Sequence, residues 1–593
     1  MNAVTAYGWK KKILRIGLSE SERRIDRFVP EQSLLNDYLG GRGLGAKIVY
    51  DAGRVEALAP ANLLVFAAGP LTGTSTPSSG RVSLSTKSPL TGTIFDSNCG
   101  GSFGPAMKKA GYDAIIIAGK SPEPVFIEIE DDRVELKSAE TLWGENVKAT
   151  TGFLKQKGSG SSNGSVACIG RAGEKLVPLA SIISDATHAF GRGGVGAVMG
   201  SKNLKAIVVK GTGKVAISDR AEFSKQKKAI NRLLIACPTI SKGLSVFGTP
   251  FLVKITSWMN VLPIANFRMG ESESEQDFNL KPFFAKTIEK ERAPKRSACY
   301  SCPIACKRED KMGGELPEYE TVGLMGANIQ NPDYEAVVEA NRVCNDYGVD
   351  TISVAGVLGC YSELRDKGIS PEELVNLTRM VGDKQGVGEE LGRGVSSFAA
   401  SEGHPETAIQ VKGLSLPSYD PRGVKGLGFS YATSNRGGCH TRAYLVAPEI
   451  LRKPKAIDPY TLAGKAGHTK IFQDRFAAVD SLVVCKFAFL GAGEEEYANI
   501  LSAVTGVDYT SEDLMLAGER IWNVERLYNV REGFGKEDDI LPDRFFEEKV
   551  NGRVIDKEEF LKTLDEYYRM RGWNENGVPA EGKLERLGIR RKK

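Results

Sequence analysis

Residues 299–306 read C-Y-S-C-P-I-A-C, so that Cys299, Cys302 and Cys306 stand at C-x2-C-x3-C spacing. The chain has only ten cysteines in 593 residues, which is too sparse for a disulfide-rich scaffold. A chain of this length also buries a core without covalent cross-links. Three clustered thiols therefore indicate a metal centre held by one short loop.

Two kinds of metal centre suit this loop. A single tetrahedral zinc takes four ligands, usually from a second pair, and the sequence has no second C-x2-C and no histidine near the triplet. A cubane iron–sulfur cluster also takes four thiolates, and the fourth often lies far along the chain. Cys485, in D-S-L-V-V-C-K-F, is the candidate for this ligand. The spacing favours iron–sulfur, and structural zinc stays open.

The composition is that of an ordinary globular protein, with 41% hydrophobic and 26% charged residues and a net charge of +5. There is no basic tail that would indicate a nucleic-acid partner. The first residues, M-N-A-V-T-A-Y-G-W-K-K-K, lack the apolar segment of a secretory signal, and no run of 18 apolar residues predicts a membrane span. Together with free thiols, these features predict a cytoplasmic protein.

Up to about residue 212 the pattern is rich in strands. Apolar runs predict strands at 63–68 (L-L-V-F-A-A), 114–119 (A-I-I-I-A-G), 125–130 (V-F-I-E-I-E) and 205–211 (K-A-I-V-V-K-G). Glycine loops lie between strands, at 40–45 (G-G-R-G-L-G, expected to precede a helix at 46–50) and 191–200 (G-R-G-G-V-G-A-V-M-G). The loop at 40–45 lacks the G-x-G-x-x-G spacing of a dinucleotide-binding loop. Together the loops predict backbone that approaches something bulky, although tight turns explain any one loop equally well.

After residue 212 helical periodicity takes over. Residues 335–347 form an apolar stripe, with Gly348 placed to stop the helix and Asp350 to cap the next one. A second helix-to-loop unit is predicted to end at Cys485, and a helix at 510–530 to be opened by Thr510 and Asp513. Breaks near residues 212 and 410 divide the chain into three predicted domains, 1–212, 213–410 and 411–593.

The sequence resembles the tungsten-containing aldehyde:ferredoxin oxidoreductase family over nearly its whole length. The motifs that carry the resemblance are A-A-G-P-L-T-G-T-S-T-P (67–77), T-K-S-P-L-T-G (86–92), G-R-G-G-V-G-A-V-M-G-S-K-N-L-K-A-I (191–207), C-Y-S-C-P-I-A-C (299–306), P-E-Y-E-T (317–321), Y-D-P-R-G (419–423) and N-R-G-G-C-H (435–440). It implies an α+β fold in which a strand-rich N-terminal base domain is followed by two mainly α-helical domains. A tungsten bis-pterin cofactor is expected at their interface.

The resemblance also implies cofactor ligands. Cys299, Cys302, Cys306 and Cys485 match the four ligands of a [4Fe–4S] cluster, and Arg81 matches an arginine that bridges cluster and pterin. Such an arginine can donate to cluster sulfur and pterin together. Tungsten and molybdenum are not distinguished, because the pterins rather than side chains bind this metal in the family.

Further matches concern the pterin itself. Asn98 and Gly193 match residues whose backbone carbonyls hold a Mg²⁺ ion between the two pterin phosphates, a role suited to oxygen ligands. Arg192 is expected to contact phosphate. The two helix-end loops match the pterin-binding segments of the family. Their expected binding residues are Asn345, Gly348, Asp350 and Asp480.

Glu320 and His440 match active-site residues near the metal. Oxidising an aldehyde requires a base that activates water and a donor that polarises the carbonyl, roles that a buried glutamate and a histidine suit. A salt-bridged or capping glutamate and a core histidine are the alternatives. His188, beside a glycine loop, is a further candidate with less support.

The expected reaction is the oxidation of an aldehyde to a carboxylic acid, with electrons passing through the cluster to ferredoxin or a related subunit. The cluster loop is flanked by basic residues that are either a docking patch for an acidic carrier or solvated surface. These residues are Lys295, Arg296, Lys307 and Arg308. Two alternatives stay open: the same cofactor in aromatic acyl-thioester reduction or hydroxy-acid oxidation within a multi-subunit complex, and a non-catalytic iron–sulfur or zinc protein.

Departures from the family pattern affect three regions, one of which is the segment 366–400, shorter here than in the archetype of the family. Where the family has E-x-x-H at a metal on the dimer interface, residues 339–342 read E-A-N-R, and the always-protonated Arg342 cannot ligate a metal. The interfacial iron is therefore not carried over to this chain, and both an interfacial metal and the choice between a homo-oligomer and a hetero-complex stay open. In the pterin loops, Asn345 replaces a carboxylate and Val483 replaces a glycine, which predicts a different local backbone path.

Overall fold

Two six-stranded sheets form the first part of the chain. The computed structural model describes residues 7–157, 164–270, 295–311 and 314–591. The strands are β1 (Ile13–Gly17), β2 (Ile25–Phe28), β3 (Leu64–Ala67), β4 (Val82–Lys87), β5 (Ile94–Cys99), β6 (Ala114–Ala118), β7 (Val125–Glu130), β8 (Arg133–Ser138), β9 (Ser165–Cys168), β10 (Ile182–Ser184), β11 (His188–Phe190) and β12 (Leu204–Lys210).

Both sheets are mixed. Their strand orders are β2-β1-β6-β3-β4-β5 and β11-β10-β9-β12-β7-β8, and only the pairs β1–β6 and β7–β12 are parallel among the described strands. The apolar runs L-V-F-A and A-I-I-I-A are buried along their whole length because the sheet is covered on both faces at β3 and β6. The β4–β5 hairpin places Asn98 opposite Ser83, one pair from the strand end.

Helices dominate from residue 220 onward, as the periodicity predicts. The helices before this point are Gln32–Tyr38, Gly41–Asp51, Phe103–Lys109, Val147–Lys157, Arg171–Glu174 and Val195–Ser201. Those after it are Arg220–Ala236, Ser245–Phe247, Phe251–Trp258, Tyr319–Met325, Tyr334–Tyr347, Thr351–Leu364, Pro371–Asp383, Val387–Leu391, Val395–Ser401, Lys425–Ala432, Val446–Glu449, Lys465–Leu482, Glu494–Thr505, Ser511–Arg531, Arg544–Glu547, Lys557–Arg571 and Glu581–Leu587. The predicted α+β architecture is confirmed, and the domain limits at 212 and 410 stay a prediction.

The predicted helix ends are present. Gly348 adopts the left-handed conformation with φ of 70° and ends Tyr334–Tyr347, and the Asp350 side chain caps the next helix. Thr510 and Asp513 form the reciprocal cap of Ser511–Arg531. One boundary is wrong: the helix expected at 46–50 begins at Gly41, so most of the glycine cluster is helical.

Three glycines of the strand-rich part lie directly against protein backbone. A Cβ atom on Gly41 would lie 2.4 Å from the carbonyl oxygen of Asp480, and one on Gly69 would lie 2.4 Å from that of Leu482. A Cβ on Gly170 would lie 2.3 Å from the Tyr347 carbonyl oxygen. What approaches these three glycines is therefore the ends of two helices from the second part of the chain.

Hydrogen bonds fix these helix ends on the strand-rich part. Ser181 N–H donates to the Gly348 carbonyl at 2.8 Å, and Cys485 N–H donates to the Ser78 carbonyl at 2.9 Å. One buried apolar cluster includes Val65 of β3 as well as Leu482 of the second part. Among the described residues, no helix combines the length and apolar character that a membrane span requires.

Candidate active site

A cavity of about 400 Å³ lies where the strand-rich part meets the two helix ends. It is lined by twelve of the fourteen residues that the sequence predicts for the site; Gly193 and Gly348 lie outside its lining. The twelve are Arg81, Asn98, Arg192, Cys299, Cys302, Cys306, Glu320, Asn345, Asp350, His440, Asp480 and Cys485.

The four candidate cluster thiols open onto this one cavity. The strands Lys295–Ser297 and Lys307–Glu309 pair across the base of the cysteine loop. Ser78 joins Cys485 to this loop, because its carbonyl accepts from Cys485 N–H and its hydroxyl lies 3.5 Å from the Cys302 sulfur. Burial raises the pKa of Cys485 to about 11, with Cys302 and Cys299 contributing and Arg81 opposing. The thiols are thus close enough to influence one another's ionisation.

Arg81 lies between the candidate cluster thiols and Asn98. Its Nη2 donates to the Asn98 carbonyl at 2.7 Å, and its Nε donates to the Asn98 side-chain oxygen. Burial opposes the charge of Arg81, but the sulfurs of Cys485 and Cys299 outweigh it and raise the pKa of Arg81. A Cβ on Gly100 would lie only 2.7 Å from the Cys299 sulfur, which explains the glycine there.

The carbonyls expected to hold Mg²⁺ already accept hydrogen bonds. The Asn98 carbonyl accepts from Arg81, and the Gly193 carbonyl accepts from the Ser88 hydroxyl at 2.7 Å. A carbonyl oxygen has two lone pairs, so each retains capacity for a cation. Gly193 has a φ of 82°, and any Cβ there would lie 2.6 Å from the Phe95 ring.

Arg192 is held mainly by backbone. Its Nη1 donates to the Gly438 carbonyl at 2.8 Å and its Nη2 to the Ser415 carbonyl at 2.5 Å. Its Nε lies 3.5 Å from Asp350 Oδ2 and has no hydrogen-bond partner in the described structure. Both terminal nitrogens thus position the guanidinium, and the Nε remains for a ligand.

Asp480 belongs to a buried ionic network that sequence reasoning missed. Its Oδ2 lies 3.4 Å from both Arg442 and Arg42, and Lys486 donates to its Oδ1. Burial disfavours the carboxylate, but Lys486 and the two arginines outweigh burial and lower the pKa of Asp480. Arg42 also contacts Glu525 at 2.6 Å. The sequence gives no local signal for this network, because Arg42 lies in a glycine run more than 400 residues before its partners Asp480 and Glu525.

Val483, which stands where the family pattern has a glycine, ends helix Lys465–Leu482 in the left-handed conformation, with φ of 54° and ψ of 38°. The expected change of backbone path relative to the family stays a prediction. The left-handed conformation suits glycine and costs a β-branched residue about 1–2 kcal/mol. The buried Val483 side chain packs against Gly41 and Gly69, which offsets part of that cost.

Glu320 and His440 lie next to each other in the lining of this cavity. Glu320 Oε2 accepts from Ser418 N–H at 2.8 Å, and His440 Nε2 lies 3.4 Å from Glu320 Oε1. Burial raises the pKa of Glu320 to about 8, and burial with nearby arginines lowers the pKa of His440 well below its usual range. The pair is therefore uncharged at neutral pH, with the proton on Glu320. The ring nitrogen His440 Nδ1 has no hydrogen-bond partner in the described structure.

Two further residues of the cavity carry unexpected contacts. The Cys439 sulfur lies 2.9 Å from Arg436 Nη2; burial opposes its ionisation, yet Arg436 and Arg442 lower the pKa of Cys439 to about 6. His188 Nε2 lies 3.4 Å from the Cys299 sulfur, and burial lowers the pKa of His188 to about 3. Arg436 lies in the motif N-R-G-G-C-H with Cys439, and Arg442 follows two residues after it, so the local sequence contained both arginine neighbours of the thiol.

The basic residues beside the cluster loop are not all exposed. Arg308 is buried and donates to the Leu244 carbonyl at 3.0 Å. Lys295 pairs with Glu309 at 2.8 Å, and Lys307 pairs with Glu315. Because Arg308 is buried, it cannot belong to an exposed docking patch. Lys295 and Arg296 are exposed, and the docking interpretation stays a prediction for them.

The cavity suits an acceptor-rich cofactor. Five buried nitrogens of its lining residues lack hydrogen-bond partners in the described structure: Arg192 Nε, Asn98 Nδ2, Arg436 Nε, Arg442 Nε and His440 Nδ1. Such donors match phosphate and pterin heteroatoms. The four thiols that border the same cavity are the ligand type that iron–sulfur clusters take.

Comparison with protein families decides the relationship. The model described as the N-terminal domain of aldehyde ferredoxin oxidoreductase matches residues 13–211, and the model described as its domains 2 and 3 matches residues 225–589. The chain belongs to the aldehyde ferredoxin oxidoreductase family. It is an oxidoreductase, which sets aside the non-catalytic alternative.

Individual members of the family are similar along their whole length. The tungsten-containing aldehyde ferredoxin oxidoreductase of Pyrococcus furiosus is 40% identical over 611 residues, 98% of this chain and 99% of the relative. That of Thermococcus kodakarensis is 39% identical, with the same coverage. The aliphatic sulfonate oxidoreductase WOR-like subunit of Pyrococcus furiosus is 28% identical, over 98% of this chain and 97% of the relative.

A solved structure shares the fold. The active-site complex BamBC of benzoyl coenzyme A reductase, in complex with 1,5-dienoyl-CoA, has a TM-score of 0.85 and 25% identity, covering 99% of this chain and 98% of that chain. The aldehyde ferredoxin oxidoreductase fold is therefore used in more than one reaction.

Arg342 departs from the dimer-interface pattern of this family. It donates to Asp310 at 2.6 Å and lies 3.7 Å from Glu339, which also meets Arg379 at 3.3 Å. These side chains are partly exposed, and cations occupy the position of the expected histidine ligand. Arg342 therefore pairs with carboxylates at this position and cannot itself ligate a metal.

Proposed function

We propose that this protein oxidises an aldehyde to a carboxylic acid with a tungsten bis-pterin cofactor, a [4Fe–4S] cluster and a ferredoxin-like acceptor. The overall change is RCHO + H₂O → RCOOH + 2H⁺ + 2e⁻, with the electrons leaving singly. The observation that carries the proposal is the Glu320–His440 pair opening onto the same cavity as Cys485 and the thiol triplet. Forty per cent identity to tungsten-containing aldehyde ferredoxin oxidoreductases supports the substrate class.

The cofactor would supply the two-electron acceptor next to the substrate carbon. Arg81, Arg192 and Asn98 would hold its acceptor atoms, and the Asn98 and Gly193 carbonyls would hold Mg²⁺. Asn345, Asp350 and Asp480 would border the pterins from the two helix ends. Cys299, Cys302, Cys306 and Cys485 would ligate the cluster. These assignments rest on the cavity lining and on matches to the family motifs.

The chain's own residues supply the proton chemistry. Glu320, once deprotonated, takes a proton from the water that adds to the aldehyde carbon. His440 Nδ1–H, which has no described partner, donates to the carbonyl oxygen and stabilises its developing charge. Tyr419 and Tyr444 stand 5.7 and 6.4 Å from the His440 ring, and their burial limits water around the reacting atoms.

The test is turnover by anaerobically purified, tungsten-replete protein. Short and aromatic aldehydes are offered with a viologen acceptor, and tungsten, molybdenum, iron and zinc are measured in the same preparation. We expect aldehyde-dependent viologen reduction, with tungsten and about four iron atoms per chain. A metal-replete preparation inactive with every aldehyde would overturn the proposed reaction.

A second candidate retains the cofactor and changes the substrate. The structural likeness to benzoyl coenzyme A reductase favours reduction of an aromatic acyl thioester. The lower identity of that chain, 25% against 40% for the aldehyde enzymes, places this candidate second. Benzoyl-CoA added with a low-potential reductant distinguishes the two, because only the second candidate forms a dienoyl product.

A further inference from the structure

His188 lies directly against the loop of the proposed cluster. It begins β11, and its imidazole packs over the backbone of the Gly100–Gly101 turn, where a Cβ on either glycine would lie 3.1–3.2 Å from the ring. Its Nε2 stands 3.4 Å from the Cys299 sulfur, although 111 residues separate the two in sequence. The two glycines thus make the room that brings the ring to the sulfur.

The other ring nitrogen defines which tautomer is present. His188 Nδ1 lies 2.9 Å from the Thr187 hydroxyl, and Lys307 donates to the Thr187 carbonyl at 2.6 Å. A cysteine that ligates iron is a thiolate and has no proton to donate. Nε2 must therefore carry the hydrogen that lies between ring and sulfur, while Nδ1 accepts from the Thr187 hydroxyl.

We propose that the Nε2–H group of His188 donates a hydrogen bond to the Cys299 thiolate and raises the reduction potential of the cluster. This inference rests on the proposed function, since it assigns Cys299 to that cluster. Reduction adds one electron to the cluster and increases negative charge on its sulfurs. A hydrogen bond to a ligand sulfur stabilises the reduced form more than the oxidised form, so the potential rises. His188 is thus a positioning and tuning residue.

Three variants test the hydrogen bond. His188→Leu removes the donor, His188→Gln keeps an N–H group near the position of Nε2, and Thr187→Val removes the group that selects the tautomer. The midpoint potential of the cluster is measured by redox titration followed by electron paramagnetic resonance. We expect the most negative potential for His188→Leu, a smaller negative shift for Thr187→Val, and partial or full recovery in His188→Gln.

A matched control and a spectroscopic readout complete the design. His404→Leu changes an exposed histidine that contacts Glu406 and lies outside the cavity lining, so the potential should stay at the wild-type value. Pulsed spectroscopy of ¹⁵N-histidine-labelled protein should show a nitrogen coupling to the reduced cluster that His188→Leu abolishes. If His188→Leu fails to assemble a cluster, His188→Gln and Thr187→Val decide the question.

The outcomes separate the two proposals. Two results would overturn the hydrogen bond alone. The first is a wild-type cluster potential in His188→Leu with full iron and sulfide content. The second is a wild-type cluster potential in both His188→Gln and Thr187→Val, together with no nitrogen coupling in the wild-type protein. A wild-type protein that carries tungsten but no four-iron cluster would overturn the proposed cluster, and this inference with it.

Discussion

His440 Nε2 lies 3.4 Å from Glu320 Oε1, in a cavity wall that both side chains share. Burial acts on the two in opposite directions, because it disfavours the charged form of each: it raises the pKa of Glu320 and lowers that of His440. At neutral pH, protonated Glu320 thus lies next to neutral His440. This pairing leads to the first prediction.

The rate of aldehyde oxidation should depend on the ionisation of Glu320. The pKa of Glu320 is raised to about 8, so the carboxylate that acts as base is a minor species at pH 7 and becomes dominant above pH 8. We expect kcat/KM to rise with pH and to level off above about 8. A pH profile measured with viologen checks this, and a rate that falls between pH 7 and 9 would contradict it.

Glu320→Gln should remove both the activity and this pH dependence. The amide oxygen can still accept from Ser418 N–H, but the side chain cannot take a proton, and loss of a general base costs about 10²–10⁴-fold in rate. Glu318→Gln is the matched control, since Glu318 is exposed and lies two residues away on the same cavity. Equal losses in both variants would argue against a specific role for Glu320.

Cys485→Ser should impair the cluster as strongly as a change in the loop triplet. The four sulfurs border one cavity, and loss of any ligand lowers iron occupancy. We expect iron below the wild-type content per chain and altered paramagnetic signals. The control is Cys360→Ser, because Cys360 is buried away from the cavity against the Thr407 hydroxyl at 3.1 Å, a contact that serine can keep. Wild-type iron content in Cys485→Ser would refute the fourth ligand.

Arg81→Lys should slow electron transfer from the active site to the cluster. The guanidinium contacts both oxygens of Asn98 while it faces the cysteine sulfurs, and one ammonium group cannot make this set of contacts. Rapid-mixing measurements of cluster reduction by aldehyde check this. Retained tungsten and iron in the variant show that the effect is kinetic, and an unchanged reduction rate would contradict it.

Arg42→Met should destabilise the protein far more than Arg342→Met. Arg42 is fully buried against Glu525, Asp480 and Asp96, so its removal leaves uncompensated buried carboxylates and costs about 3–5 kcal/mol. Arg342 forms a partly exposed pair with Asp310, and such pairs contribute about 0–1 kcal/mol. Apparent melting temperatures compare the two, and a reversed order would show that the buried network contributes little.

Local sequence patterns determined several parts of the molecule. The stop at Gly348, the caps at Asp350 and Thr510 and the spacing of the cysteine triplet depend on neighbours a few residues away. The family motifs indicated twelve residues that line one cavity. The predicted start of the first glycine-rich helix, at residue 46, was wrong because glycine has a low helix propensity. Glycine is nevertheless required at Gly41 inside that helix, because a Cβ atom would collide with the Asp480 carbonyl oxygen.

Only the tertiary structure decided how the site is charged. Which nitrogen of Arg192 remains for a ligand, why Glu320 keeps its proton, and how Asp480 is held by Lys486 and two arginines all depend on burial and on contacts between distant segments. His188 reaches Cys299 across 111 residues because two glycines allow it. Electrostatic energies depend on distance and solvent exposure, which no local stretch of sequence specifies.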